Sequence, residues 1–151
     1  MSDEAFETFI QKSLGTRSFT FILRGKEVLP CPNFIEWAEW FATTERTLCK
    51  TEIKEFLIST VFLGVDLGYG PNEEPLVFET MIFGETQDTK LLDSIVELRQ
   101  TLPYQWRYFS YDDAMAGHVR ACELLKALVD RADAEVAAAL NEQPPAKAGG
   151  F

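Results

Sequence analysis

His118 is the one histidine of this sequence, and Cys122 follows it four residues later. At this spacing the two side chains meet on one face of a helix, where they could act as a general base and a nucleophile. An apolar stripe through the same segment would bury the thiol, however, and burial disfavours the reactive thiolate. We therefore favour the other interpretation, in which His118 is a half-buried structural residue that ties a helix to a sheet.

Glu79 lies inside the otherwise largely apolar run of residues 77–83. A carboxylate in such a run destabilises the fold unless it is paired or hydrogen-bonded. One interpretation makes it a catalytic acid with a raised pKa that works with His118 in a small hydrolase. The alternatives, which we favour, are structural: the carboxylate faces solvent on the open side of a sheet, or it bonds to Arg107 or His118.

The remaining candidate chemistries find little support in the sequence. Three cysteines, Cys31, Cys49 and Cys122, are widely spaced and form no CxxC pair, which argues against a disulfide framework and a zinc finger. A catalytic zinc site usually recruits several histidine or carboxylate ligands. A sequence with one histidine is therefore a poor candidate for such a site. The glycines and acids of residues 65–75 follow neither the calcium-loop nor the phosphate-loop pattern. We therefore predict no metal ion and no cofactor.

These residues must be positioned by a mixed set of helices and strands. Amphipathic periodicity predicts helices over 3–14, 34–43 and 88–102, and a long helix after Ser110. Alternating apolar residues predict a hairpin over 19–29 and strands near 46–50, 56–64, 76–83 and 106–109. Both faces of 56–64 become apolar toward its end, which is typical of a central strand. The predicted fold is therefore α+β: an antiparallel sheet of about four to six strands with helices packed on at least one face.

Two of the helices carry stripes that predict which side meets the sheet. Asn33 and Glu36 form a capping pattern at the start of the first helix. The predicted inward side of this helix consists of Phe34, Trp37, Ala38 and Phe41. Trp40 falls beside the stripe, so we predict it as a peripheral anchor for an interface. Ser110 begins the long helix. Its predicted stripe consists of Met115, Val119, Cys122, Leu125, Val129 and Val136.

The two ends of the chain have contrasting patterns. Residues 3–14 place apolar side chains on one helical face, with acids in the first turn, Lys12 in the last and Gly15 as a stop signal. The apolar side chains are Phe6, Phe9, Ile10 and Leu14. Residues 141–151 contain two prolines and two glycines, and we predict a disordered tail there. Residues 1–140 are predicted to form a single domain.

Length and charge limit the classes of partner. The chain has 151 residues, of which 46% are hydrophobic and 25% charged, as in an ordinary globular domain. Twenty-four acidic residues against 14 basic ones give a net charge of −10, which disfavours direct binding to nucleic acid or to anionic membranes. The acidic start, Met1-Ser2-Asp3-Glu4, does not resemble a secretory signal. We therefore predict a cytoplasmic protein.

The acidic residues are concentrated between Gly64 and Glu97, where Lys90 is the one basic residue. They are Asp66, Glu73, Glu74, Glu79, Glu85, Asp88, Asp93 and Glu97. Such a run often forms a solvated face. The sharper hypothesis is that this face meets a basic surface on another protein. The predicted binding residues are Asp66, Tyr69, Glu73, Glu74 and Trp40.

Four segments of the sequence form a further pattern. They are the strand-like residues 59–66, the FETM-containing residues 76–84, Arg107-Tyr108-Phe109-Ser110, and Ala116-Gly117-His118. Together they resemble a family of small proteins encoded by bacteriophages and prophages. The similarity spans roughly residues 18–130. Many relatives carry a histidine after the loop aspartate, where Leu67 stands here, so the resemblance supplies no Asp–His site. It implies a phage setting and no particular reaction.

The leading hypothesis is a non-enzymatic, phage-type accessory protein in the cytoplasm of a bacterial host. It would bind a host protein with a basic surface and inhibit a defence system, such as CRISPR, or a nucleic-acid-processing system through its acidic face. One alternative is a small hydrolase that uses Glu79 and His118. Another is a structural or regulatory phage protein that self-associates as a homo-oligomer.

Overall fold

The computed structural model describes residues 18–66, 74–100 and 106–142. The strands are β1 (Phe21–Arg24), β2 (Glu27–Pro30), β3 (Thr47–Ile53), β4 (Phe56–Phe62), β5 (Phe78–Phe83) and β6 (Arg107–Tyr108). The helices are α1 (Phe34–Thr43), α2 (Thr89–Gln100) and α3 (Tyr111–Glu142). The predicted α+β class is confirmed. The helix predicted over 3–14 and the tail beyond Glu142 lie outside the described residues, whereas residues 141 and 142, predicted as tail, belong to α3.

The predicted hairpin is confirmed as a two-stranded antiparallel sheet of β1 and β2. Arg24 lies opposite Glu27, so Gly25 and Lys26 alone form the turn. Gly25 has a φ of +62°, a conformation that costs glycine little because it has no Cβ. The hairpin continues into the main sheet, because Phe21 N–H donates to the Gly64 carbonyl at 2.9 Å.

The second sheet is antiparallel throughout, with the strand order β3-β4-β5-β6. β4 lies between two partners, as its apolar character predicted. Because side chains alternate between the faces of a sheet, this sheet has an inner and an outer face. The inner face carries Phe56, Ile58, Thr60 and Phe62 of β4 and their β5 partners Phe78, Thr80 and Ile82. The outer face carries the residues in between.

The inner face holds the core of the domain. Near one end of the sheet, Ile58 and Ile82 pack with Ile95 of α2 and Leu125 of α3. Near the other end, the side chains come from the sheet, the hairpin and the start of α3. They are Phe62, Phe78, Tyr108, Phe21 and Ala114. All three described helices therefore contribute buried or half-buried side chains to the inner face.

The orientation of α1 corrects the prediction for Trp40. Its ring is half-buried and packs edge-on against Phe62, with centroids 5.7 Å apart. Phe34, predicted to face inward, is 67% exposed, because it lies in the first turn, beyond the side of the helix that meets the hairpin. The predicted cap is confirmed, since the Asn33 side chain accepts from the N–H groups of Ile35 and Glu36.

The buried side of α3 also differs from the predicted stripe. Val119 and Val136 are each 53% exposed. The buried residues of α3 are Ala114, Gly117, His118, Ala121, Leu125, Val129 and Ala132. Small residues dominate the first half of this set, and they let the helix approach the sheet closely. At Gly117 a Cβ atom would overlap the Tyr108 ring and hydroxyl.

Substitution of Gly117 by alanine tests this close approach. In an open helix the change would stabilise the protein by about 1 kcal/mol. Here we expect the free energy of unfolding to fall by about 1–3 kcal/mol, because the methyl group has no space. The measurement is urea denaturation, with Ala116→Gly at the exposed neighbouring position as the control for helix propensity. A stabilised Gly117→Ala variant would contradict the packing described for α3.

Candidate functional site

His118 lies between α3 and the inner face and is only 3% exposed. Its Nε2 is 2.8 Å from Thr51 Oγ1, and its Nδ1 is 2.8 Å from Thr60 Oγ1. Thr60 Oγ1 in turn lies 2.6 Å from Thr80 Oγ1. One threonine from each of β3, β4 and β5 thus forms a hydrogen-bonded group with the imidazole, which we call the histidine cluster.

The histidine cluster satisfies a neutral ring in either tautomer. A threonine hydroxyl both donates and accepts, so Thr51 and Thr60 can serve whichever nitrogen carries the proton. A doubly protonated ring would also find two acceptors, but its charge would be buried. Desolvation accordingly lowers the pKa of His118 below its ordinary value. The core therefore holds this imidazole in its neutral form.

Cys122, one turn beyond His118, does not form a nucleophile–base pair with it. Burial raises the pKa of the Cys122 thiol, and a hydrogen bond with Thr51 offsets this only in part. Both ring nitrogens of His118 are already bonded to hydroxyl groups. The structural interpretation of His118 is therefore the one that the contacts support, and the residue is more deeply buried than predicted.

Glu79 lies on the opposite side of the sheet. Arg107 Nε donates to Glu79 Oε1 at 3.2 Å, and roughly a fifth of each side chain is exposed. The next residue, Thr80, points inward to the histidine cluster, and successive strand residues face opposite sides. Of the structural alternatives that the sequence left open for Glu79, the bond to Arg107 is the one that the structure shows. The hypothesis of a hydrolase that joins Glu79 and His118 is wrong, because the sheet separates the two side chains.

The acidic residues of 64–97 do not gather on one surface in the described part of the chain. Asp66 and Glu74 precede β5, whereas Glu85 and Asp88 follow it, and the strand between them is about 20 Å long. Glu79 is neutralised by its arginine. Asp88 accepts from Leu91 N–H at the start of α2. Tyr69 and Glu73 lie outside the described residues. The remaining acids, Asp93 and Glu97, lie on α2.

The outer face presents three rows of side chains across neighbouring strands. The rows are Glu52, Leu57 and Phe83; Lys50, Ser59 and Met81; and Val61, Glu79 and Arg107. Met81 is 45% exposed and Phe83 46%. None of the helices described covers this face, because their buried side chains pack on the inner one. The outer face was not predicted as a site, although the apolar residues on both faces of 56–64 and 76–83 were a signal for it.

In the part of the chain that the structure describes, β6 pairs with Phe78 and Glu79 of β5, and the rest of that edge of β5 adjoins the outer face. Arg99 of α2 lies along it, and its Nη2 donates to the carbonyls of Ile82 (2.9 Å) and Gly84 (3.3 Å). A groove of about 460 Å³ lies here, and its lining includes Met81, Phe83, Arg99 and Trp106. Met81 and Phe83 therefore belong both to the outer face and to the lining of this groove.

Within residues 18–66, 74–100 and 106–142, no three histidine, cysteine or carboxylate side chains lie close enough together to hold a metal ion. No helix in these ranges combines the length and hydropathy needed to cross a membrane. Comparisons of the chain with models of known protein families, with curated proteins and with solved structures find no match. The resemblance to phage and prophage proteins therefore stays a prediction.

The lowered pKa of His118 predicts that the free energy of unfolding falls as the solution becomes more acidic. The unfolded chain takes up the proton near pH 6.5 and the folded chain only at lower pH. The contribution of His118 is therefore complete above the unfolded pKa and is lost as the pH falls through the folded one. Its largest slope is about 1.4 kcal/mol per pH unit.

Urea denaturation between pH 7.5 and 5 measures this effect in the wild type and in His118→Gln. The glutamine amide also donates and accepts but does not titrate, so the variant should lose the part of the pH dependence that begins near pH 6.5. Carboxylates contribute equally to both proteins and cancel in the difference. Parallel pH profiles of the two proteins would show that His118 is not held neutral by the core.

Proposed function

We propose that this is a non-enzymatic binding protein that receives an amphipathic helix of a partner protein on the outer face of its four-stranded sheet. The observation that carries the proposal is the exposure of Met81 and Phe83 on a face that no described helix covers. Both side chains lie on β5 opposite Ser59 and Leu57 of β4, beyond the residues of β5 that pair with β6.

The separation of the titratable groups favours binding over catalysis. His118 is enclosed between α3 and the sheet, with both nitrogens engaged, and a substrate would have to open the core to reach it. Glu79 on the outer face is bonded to Arg107. A general acid or base must reach a substrate as well as a second reacting group. Among the described residues, the groups that bond to His118 are buried threonine hydroxyls, and the group that bonds to Glu79 is the guanidinium of Arg107.

The dimensions of the apolar surface favour a single helix. Neighbouring strands are about 4.8 Å apart and rise about 3.4 Å per residue, so the apolar part of β4 and β5 is roughly 10 Å wide and 20 Å long. A helix with its side chains is about 10 Å across. A stable interface between globular surfaces buries about 800 Å² on each partner, several times more than this surface offers. Insertion of a helix is a common mode of recognition.

Charges at one end of the surface favour a basic partner. Glu52 lies in the same row as Leu57 and Phe83, and the exposed Glu85 follows β5 directly. Glu55, in the turn before β4, is also exposed. It lies near the end of β5, because its carbonyl is close to Gly84. These carboxylates, with the net charge of −10, would attract lysines or arginines beside the apolar stripe of the bound helix. The proposed partner is thus still cationic, as expected from the sequence, but the residues proposed to contact it are different ones.

The resemblance to phage and prophage proteins supports a bacterial host protein as the source of this helix. Host proteins that bind nucleic acid, including those of defence systems, carry basic surfaces of this kind. In this proposal the protein would act by occupying a segment that the host protein needs for its own contacts. Self-association is the second candidate, but the small apolar area gives it less support.

A synthetic amphipathic peptide of about 15 leucine and lysine residues is a direct probe. We expect it to bind, and the double variant Met81→Asp/Phe83→Asp to weaken binding about tenfold or more, because two buried apolar contacts are lost. The measurement is fluorescence titration. The variant is more acidic than the wild type, so purely electrostatic attraction would become stronger, not weaker.

A matched control places the same charges elsewhere. Val136→Asp/Leu140→Asp alters two exposed apolar residues near the end of α3, and this variant should bind the peptide as the wild type does. Capture from a bacterial lysate should follow the same order, with partner proteins lost only from the outer-face variant. Equal binding by all three proteins would exclude the outer face as the docking surface.

A further inference from the structure

We propose that the groove beside β5 binds a small molecule that joins an apolar, ring-containing body to a single carboxylate. The body would lie against Met81 and Phe83, and the carboxylate would accept hydrogen bonds from Arg99, all of which line the groove. The inference concerns a small ligand and does not rest on the proposed partner helix, although Met81 and Phe83 serve in both.

Arg99 holds a positive charge at the groove that no carboxylate neutralises in the described part of the chain. It lies in the last turn of α2 and is half-buried. Its Nη2 donates to the carbonyls of Ile82 and Gly84, which are uncharged acceptors, whereas Arg107 on β6 is paired with Glu79. A hydrogen bond between a guanidinium and a carboxylate is about twice as strong as a neutral one. Arg99 is therefore a site to which an anionic group is attracted.

Two buried N–H groups of side chains in the groove lining have no hydrogen-bond acceptor. They are Nε of Arg99 and Nε1 of Trp106, and Trp106 as a whole is only 3% exposed. A buried donor without an acceptor costs about 1–3 kcal/mol. An acceptor oxygen that enters the groove would remove part of this cost, so the lining favours a ligand with such an oxygen.

The rest of the lining suits a compact apolar body. The volume of about 460 Å³ falls within the range of small-molecule sites, which is about 300–1,000 Å³. Met81 and Phe83 are nearly half exposed, and both a thioether and an aromatic ring pack favourably against a ligand ring. Small-molecule sites typically combine such apolar walls with a few polar groups that fix the orientation. Here the polar group at one end is Arg99.

Acidic residues near the groove limit the ligand to one negative charge. Glu85 follows Gly84 directly, and the carbonyl of Glu55 is close to Gly84. Both carboxylate side chains are exposed, and they would repel a phosphate or a polyanion more strongly than a singly charged group. Glu79 also lines the groove but is paired with Arg107. The charges therefore favour a monocarboxylate.

NMR titration of the isotope-labelled full-length chain with naphthoate tests the site. We expect saturable shifts of the Trp106 indole N–H and Arg99 Nε–H signals. The indole signals of Trp37, which donates to the Phe21 carbonyl, and of Trp40, which packs on Phe62, should not move. Naphthamide has the same rings without the charge and should bind at least about tenfold more weakly. Equal affinities for acid and amide, or unmoved Trp106 and Arg99 signals, would overturn the proposal.

Arg99→Gln separates the charge from the shape of the groove. Glutamine keeps N–H groups that can donate to the strand carbonyls, so we expect the affinity for naphthoate to fall about tenfold or more and that for naphthamide to change little. Arg131→Gln is the matched control, because it removes the same charge from an exposed position of α3, and it should change neither affinity. An equal loss of naphthoate affinity in both variants would reduce the effect to net charge and defeat the assignment. If Arg99→Gln does not fold, the comparison of acid and amide in the wild type decides.

Discussion

The close contact between α3 and the inner face of the sheet is the constraint on which the rest of the structure depends. Small residues, Ala114, Gly117 and Ala121, bring the helix backbone near the strands. At that distance the His118 ring reaches threonine hydroxyls of the sheet. Any larger side chain at Gly117 would separate the two layers, and the histidine cluster would then lose its hydrogen bonds.

This contact also decides where function is able to reside. Because α2, α3 and the hairpin side chains fill the inner face, the titratable His118 is part of the core and is inaccessible. The outer face carries exposed apolar residues and the partly buried ion pair of Glu79 with Arg107. In the proposed function the outer face is the binding surface, whereas His118 connects α3 to the sheet through its hydrogen bonds.

The elements themselves could be predicted from the sequence to a large extent. Local signals were sufficient for the Gly25 turn, the Asn33 and Ser110 caps and the interior position of β4. The sides of the helices were predicted less well. Large apolar residues suggested the inward side of α3, yet Val119 is exposed, because the sheet selects the side on which the helix approaches most closely.

The sequence by itself determined the class of the fold, the strand alternation that places Glu79 and Thr80 on opposite sides, and the absence of a recognisable catalytic motif. These follow from periodicity and spacing along the chain, which are local properties. Only the tertiary structure decided that Glu79 pairs with Arg107, that His118 bonds three strands' hydroxyls directly or through Thr60, and that the acids lie at both ends of β5. Contacts between residues far apart in sequence depend on which surfaces pack together, and no single segment carries that information.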